Sequence, residues 1–244
     1  MSRITDRLMA VRHRIDAAAE HFGRDPESLE LIAVSKTFPT NAIEEAMHAG
    51  QRAFGENYVQ EAVEKIKRLD QLRPWLEWHF IGPVQSNNTS EIAEHFDWIH
   101  TIDREKIAQR LSDQRQAHSR LGPLQACVQV NISQEESKSG VMPNETLDLC
   151  KVVSSLPGLV LRGLMAIPAP STKETEQREA FAALRHLFED IRMQTQKVPG
   201  FEDFDTLSMG MSDDLEAAIA EGATMVRVGS AIFGERKLSA KIES

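Results

Sequence analysis

A lysine closes the apolar run Leu31-Ile32-Ala33-Val34-Ser35-Lys36, and it has more chemistry to offer than any other residue of this 244-residue sequence. An amine held partly out of water gives up its proton more readily, and the neutral form attacks an aldehyde to give a Schiff base. Far downstream stands Met225-Val226-Arg227-Val228-Gly229-Ser230-Ala231-Ile232-Phe233-Gly234. Gly229 and Ser230 would offer backbone N–H groups at the start of a short helix, a natural seat for a phosphate. Arg227 adds a permanent cation. Each feature has a plainer reading. Lys36 could be a strand-end side chain reaching into solvent, and Gly229-Ser230 a tight turn with a capping serine.

Other segments carry weaker candidates. In Ser208-Met209-Gly210-Met211-Ser212-Asp213-Asp214, the serines and the backbone after Gly210 could add phosphate donors, and Met211 a wall. Ser212 could equally cap the next helix, with Asp213 and Asp214 complementing its dipole. Asn57, in Gly55-Glu56-Asn57-Tyr58, could bond a ring hydroxyl or cap a helix. His79 sits inside a strand-like run, where a lone histidine more often serves structure. Lys138, in Glu136-Ser137-Lys138-Ser139-Gly140, reads as a mouth residue or as plain surface charge.

Elements must bring these groups together. Ile4, Leu8, Val11 and Ile15 recur at helical spacing, so the chain opens with an amphipathic helix. Strand-like runs then alternate with helix-like ones. The strands read as residues 30–35, 52–55, 78–82, 98–102, 126–132, 159–165, 204–208 and 224–228. Thr40 and Asp103 are placed to cap helices. Eight alternations predict one (β/α)8 barrel over residues 1–244 with an additional N-terminal helix. An open doubly wound sheet is the alternative, and it would need more polar edge strands. A closed ring makes the first and last strands neighbours. That sets an amine, an arginine and a phosphate-sized nest at one mouth, the groups needed to hold pyridoxal 5'-phosphate (PLP) as a Schiff base.

Composition narrows the partners. Lys+Arg is 28 and Asp+Glu is 37, a net charge of −9, which disfavours nucleic acid and anionic membrane surfaces. No apolar run approaches the roughly 20 residues of a membrane span, and nothing resembles a signal peptide. Cys127 and Cys150 lack metal-site spacing, and a reducing cytoplasmic setting is expected.

Seven motifs, in order, resemble the PLP homeostasis protein family (YggS/PROSC). They are Ala33-Val34-Ser35-Lys36-Thr37, Phe54-Gly55-Glu56-Asn57-Tyr58, Trp78-His79-Phe80-Ile81-Gly82, Glu136-Ser137-Lys138-Ser139-Gly140, Arg162-Gly163-Leu164-Met165, Leu207-Ser208-Met209-Gly210-Met211-Ser212 and Arg227-Val228-Gly229-Ser230-Ala231-Ile232-Phe233-Gly234. The resemblance implies a PLP-binding barrel with Lys36 as the Schiff-base lysine, and Met165 joins the expected cofactor contacts. It also implies a part in controlling free PLP and amino- and keto-acid balance, without established turnover. Expected partners are PLP and apo PLP-dependent enzymes, with the chain a monomer or weak dimer. One departure is Asn88, where the family commonly has lysine after Gln85-Ser86-Asn87.

The barrel is also similar to the N-terminal domain of alanine racemases. Those enzymes draw a second base from a separate C-terminal domain, and the end of this sequence at Ser244 argues against racemase activity. Arg227 opposite a pyridine nitrogen would disfavour its protonation and leave a poor electron sink. The competing expectations are a PLP-dependent racemase or lyase, and a PLP-free aldolase using Lys36.

Overall fold

The computed structural model describes residues 3–118, 121–135 and 138–235, so Glu136 and Ser137 of the motif around Lys138 lie outside the described residues. Short runs rich in β-branched and aromatic residues form eight strands: β1 (Glu30–Val34), β2 (Ala53–Glu56), β3 (Glu77–Phe80), β4 (Trp98–Ile102), β5 (Leu124–Gln129), β6 (Leu159–Met165), β7 (Thr206–Ser208) and β8 (Met225–Val228). Each pairs in parallel with the next, and β8 pairs with β1, so the sheet closes into a barrel. At the seam Glu30 faces Met225 and Ile32 faces Arg227. Closure removes the exposed edges that an open sheet would have had to protect.

The helices are α1 (Arg3–His21), α2 (Thr40–His48), α3 (Val59–Arg68), α4 (Thr89–His95), α5 (Glu105–His118), α6 (Thr146–Ser154), α7 (Glu174–Thr195), α8 (Leu215–Ala220) and α9 (Ser230–Phe233). The extra N-terminal helix, α1, buries Leu8, Val11 and Ile15 and packs on α2, α8 and α9. An Arg14–Glu216 ion pair joins it to α8.

Successive strand residues face opposite sides of a sheet. Leu31 and Ala33 accordingly belong to the large apolar layer between strands and helices, whereas Ile32 belongs to a small inner cluster with Ala53, Trp98, Cys127, Met165 and Met225. Both cysteines are free and buried, and burial pushes the Cys127 thiol up to about 12.

Three local expectations are corrected. Thr40 does not cap α2, because extended Pro39 holds that position and no side chain bonds there. Strand β5 runs over Leu124–Gln129, earlier than the apolar run indicates, and continues only as a Val130–Val141 bridge. Strand β7 is shorter because Phe204 instead stacks on Phe188, with ring centroids 4.7 Å apart.

Candidate cofactor-binding site

Counting by twos from inward-facing residues leads to the C-terminal mouth. Ile32 leads through Val34 to Lys36, Ala53 to Asn57, Met165 to Ile167, and Met225 through Arg227 to Gly229. A cavity of about 340 Å³ there is lined by Lys36, Asn57, Met211, Ser212, Arg227, Gly229 and Ser230, seven of the residues singled out in the sequence. Phe38, Ile81 and Ile167 supply apolar wall. A larger cavity, of about 750 Å³, opens among Glu30, Arg52, Arg162 and Asp205 at the N-terminal mouth. Barrels of this kind keep their chemistry at the other face.

The turn carrying Lys36 is held from behind by buried charge. Ser35 donates its hydroxyl to Glu56 Oε1 at 2.6 Å. Lys65, reaching up from α3, donates to Glu56 Oε1 at 2.8 Å and to the Ser35 carbonyl at 2.9 Å. It also pairs with Glu61 at 2.5 Å, and Glu61 accepts from the Thr37 N–H at 2.6 Å. Thr37 has φ +69°, a conformation that costs a β-branched residue free energy. Burial pushes the Glu56 carboxyl up, while Lys65 and Ser35 pull it back. The lysine turn is therefore a fixed, locally strained platform rather than a free strand end.

Asn57 owes its place to a glycine. A Cβ at Gly82 would lie 2.2 Å from the Asn57 carbonyl oxygen, so only glycine admits the loop. The Asn57 Oδ1 is buried and has no protein partner.

Arg227 is 4% exposed; it donates to Ser208 Oγ at 2.7 Å and to the Ala166 carbonyl at 3.1 Å. Burial pushes its guanidinium down to about 10. No side chain caps α9 behind Gly229, and the first N–H groups of a helix have no partner within it. Ser212 lines the cavity and is not the cap of α8, a position that Asp214 takes while accepting from the Met211 N–H at 2.6 Å.

Four expected contacts lie off this cavity's wall. Ser208 is fully buried and bonds Arg227 and, at 2.8 Å, His100 Nδ1. His79 is fully buried between His100 and Glu77. Met165 belongs to the inner apolar cluster. Lys138 donates to the Pro168 carbonyl at 3.3 Å, in the loop between β6 and α7.

Residues 7–237 match the family model described as alanine racemase, N-terminal domain. A pyridoxal phosphate homeostasis protein of Escherichia coli is 53% identical over 99% of this chain and 100% of its own length. The protein of that name from Pseudomonas aeruginosa is 54% identical, over 98% and 99%. The chain belongs to the pyridoxal phosphate homeostasis protein family. Its barrel superposes on PipY of Synechococcus elongatus with PLP bound, a family relative, at TM-score 0.79 and 36% identity, covering 95% of this chain and all of that one. An alanine racemase of Corynebacterium glutamicum, at 18% identity and TM-score 0.61, shares the barrel fold over 96% of this chain and 63% of its own.

Sequence reasoning missed Phe38, Ile167, Glu56, Lys65 and His100 as parts of the site or its support. Inward parity was the signal for two of them. Ile167 follows Met165 by two, and His100 follows Trp98 by two.

Proposed function

We propose that this chain binds PLP as a Schiff base through Lys36 and serves the control of free PLP, without substantial turnover of its own. The observation that carries this reading is one cavity lined by residues from both sides of the β1–β8 seam: Lys36 on one, Arg227, Gly229 and Ser230 on the other. The groups fit the cofactor. Lys36 would supply the amine for the aldehyde carbon. Gly229, Ser230 and Ser212 hold the phosphate, with the Gly229–Ser230 turn leading. Arg227 would serve the ring nitrogen, and Met211 with Ile81 would wall the ring. The unpartnered Asn57 Oδ1 accepts from the ring hydroxyl, which explains a buried acceptor otherwise left unsatisfied. Lys138 stands near the mouth as a residue that tunes cofactor exchange.

Bound PLP supplies an electrophilic carbon and, in enzymes, an electron sink. A guanidinium at the ring nitrogen would disfavour the protonation that a good sink requires. The site therefore retains PLP while giving little help to Cα–H cleavage. Among the described residues no helix is long and apolar enough to cross a membrane.

The test is a visible spectrum of protein with PLP, before and after borohydride, with peptide mapping. Wild type gives an adduct on Lys36, and Lys36→Ala gives none; an adduct on another lysine in wild type overturns the assignment. Deuterium exchange at Cα of L-alanine tests the second half. Lys36-dependent exchange near roughly 1–10³ per second would make the protein an enzyme.

A further inference from the structure

Behind the cavity, polar residues of the barrel interior form one continuous file. Arg227 Nη1 lies 2.7 Å from Ser208 Oγ, and Ser208 Oγ lies 2.8 Å from His100 Nδ1. His100 Nε2 is 2.9 Å from His79 Nδ1, and His79 Nε2 is 2.9 Å from Glu77 Oε1. Ser208, His100 and His79 are fully buried, while the Glu77 side chain is 42% exposed. Glu77 opens into a cavity of about 560 Å³ at the N-terminal mouth. Four hydrogen bonds thus connect the two mouths.

Donor chemistry fixes the direction of the file. A guanidinium only donates, so Ser208 Oγ accepts from Arg227 and has one O–H to give. That O–H goes to His100 Nδ1. A neutral His100 then carries its proton on Nε2 and donates it to His79 Nδ1. His79 in turn carries its proton on Nε2 and donates it to the Glu77 carboxylate. The reverse direction would set the His79 Nε2 lone pair against that carboxylate, or place a charged, fully buried His79 in the same file as cationic Arg227.

His79 stacks on Trp98, with ring planes 12° apart, and the charges acting near it are Glu77 and Glu30. Burial holds His100 neutral, and the Arg227 cation adds to that. Asp214 also acts on Arg227. Its own hydrogen bonds go to a hydroxyl and a carbonyl, so the carboxylate at the far end of the file is the anion hydrogen-bonded to it through intermediaries.

We infer that Glu77, His79 and His100 are positioning residues that act through Ser208 to orient and polarise Arg227 toward the cofactor cavity. This rests on the reading of Arg227 as the ring-nitrogen partner. An anion at the end of a chain of hydrogen bonds strengthens every link in it. Arg227 is therefore gripped by a carboxylate on the opposite face of the barrel, which never touches the ligand.

Two measurements test this. Long-range ¹H–¹⁵N spectra of the ligand-free protein at pH 7 read the tautomers: both histidines should be neutral with the proton on Nε2. A proton on His100 Nδ1, or a charged His79, overturns the direction. In the same ligand-free state Glu77→Gln, which keeps shape and removes charge, should shift the Arg227 Nη resonances; unmoved resonances overturn the coupling. PLP titrations then form a double-mutant cycle. Glu77→Gln should weaken PLP binding about three- to tenfold in the wild-type background. It should weaken it by under about twofold once Ser208→Ala has cut the file. Equal factors in both backgrounds overturn the proposal. Should wild type bind no PLP, the cofactor reading fails, while the ligand-free spectra still decide the file.

Discussion

At position 229 a side chain has little room. A Cβ there would lie 3.3 Å from the carbonyl oxygen of Val34 and 3.4 Å from its Cβ. Valine would push branched carbons into β1 and across the N–H groups that start α9. Gly229→Val should therefore weaken PLP binding by more than tenfold, roughly the cost of losing a whole anion seat. Ser230→Ala removes one hydroxyl and should cost about fivefold or less. Equal PLP affinity for wild type and Gly229→Val would remove the phosphate from this turn. Lys36, Arg227 and Gly229 are legible in the sequence because each continues an apolar strand by even steps. Lys65 is not. It stands in Glu64-Lys65-Ile66-Lys67-Arg68, which reads as a solvated helix face, yet it is 6% exposed. Beyond Glu61 on its own helix, its partners arrive from β2 and the β1 turn and make its burial affordable, and no local pattern announces those two.

At the scale of elements, the end of β1 and the start of α3 are joined through Glu56, Lys65 and Glu61. Removing one member of a buried ion pair strands the other. Lys65→Met should destabilise the fold by about 3–5 kcal/mol in urea denaturation. It should also loosen Thr37, whose positive φ is held by the Glu61 carboxylate. A stability within about 0.5 kcal/mol of wild type would show that this network holds nothing. Strands β4 and β6 coincide with their apolar runs to the residue. The misread boundaries of β5 and β7 have a common cause. Aromatic packing and barrel register decided them, and neither is a property of a short window of sequence.

The whole molecule carries a pH signature. His100 is held neutral by burial, with the Arg227 cation adding to the depression, so its folded value lies well below 6.5. The unfolded chain takes up a proton near pH 6.5 that the folded chain refuses. Stability is thus fully present above that pH and declines as pH falls toward the folded value, with a slope on the order of 1 kcal/mol per pH unit. Glu56, Glu30 and Asp214, whose carboxyls are pushed up by burial, favour the opposite trend at lower pH. Urea titrations from pH 7.5 to 5.5, against a His100→Asn variant that lacks the slope, isolate it. Identical slopes in the two proteins would contradict a buried neutral imidazole.

The seam between β1 and β8 also sets a clock. Lys36 leaves the ribosome early, and Arg227 follows 191 residues later, counted as 227 − 36. At about 5–20 residues per second, that interval is roughly 10–40 s. Through it the amine exists without the cation or the phosphate nest opposite. An aldehyde meeting it then finds only an exposed lysine. A small molecule that spans both sides therefore recognises a finished ring and nothing earlier. Once there, it acts as a latch on the joint between first and last strands, adding about 2.7 kcal/mol at a hundredfold excess over its Kd. The cavity's occupant is in that sense a certificate that synthesis ran to the end of the barrel.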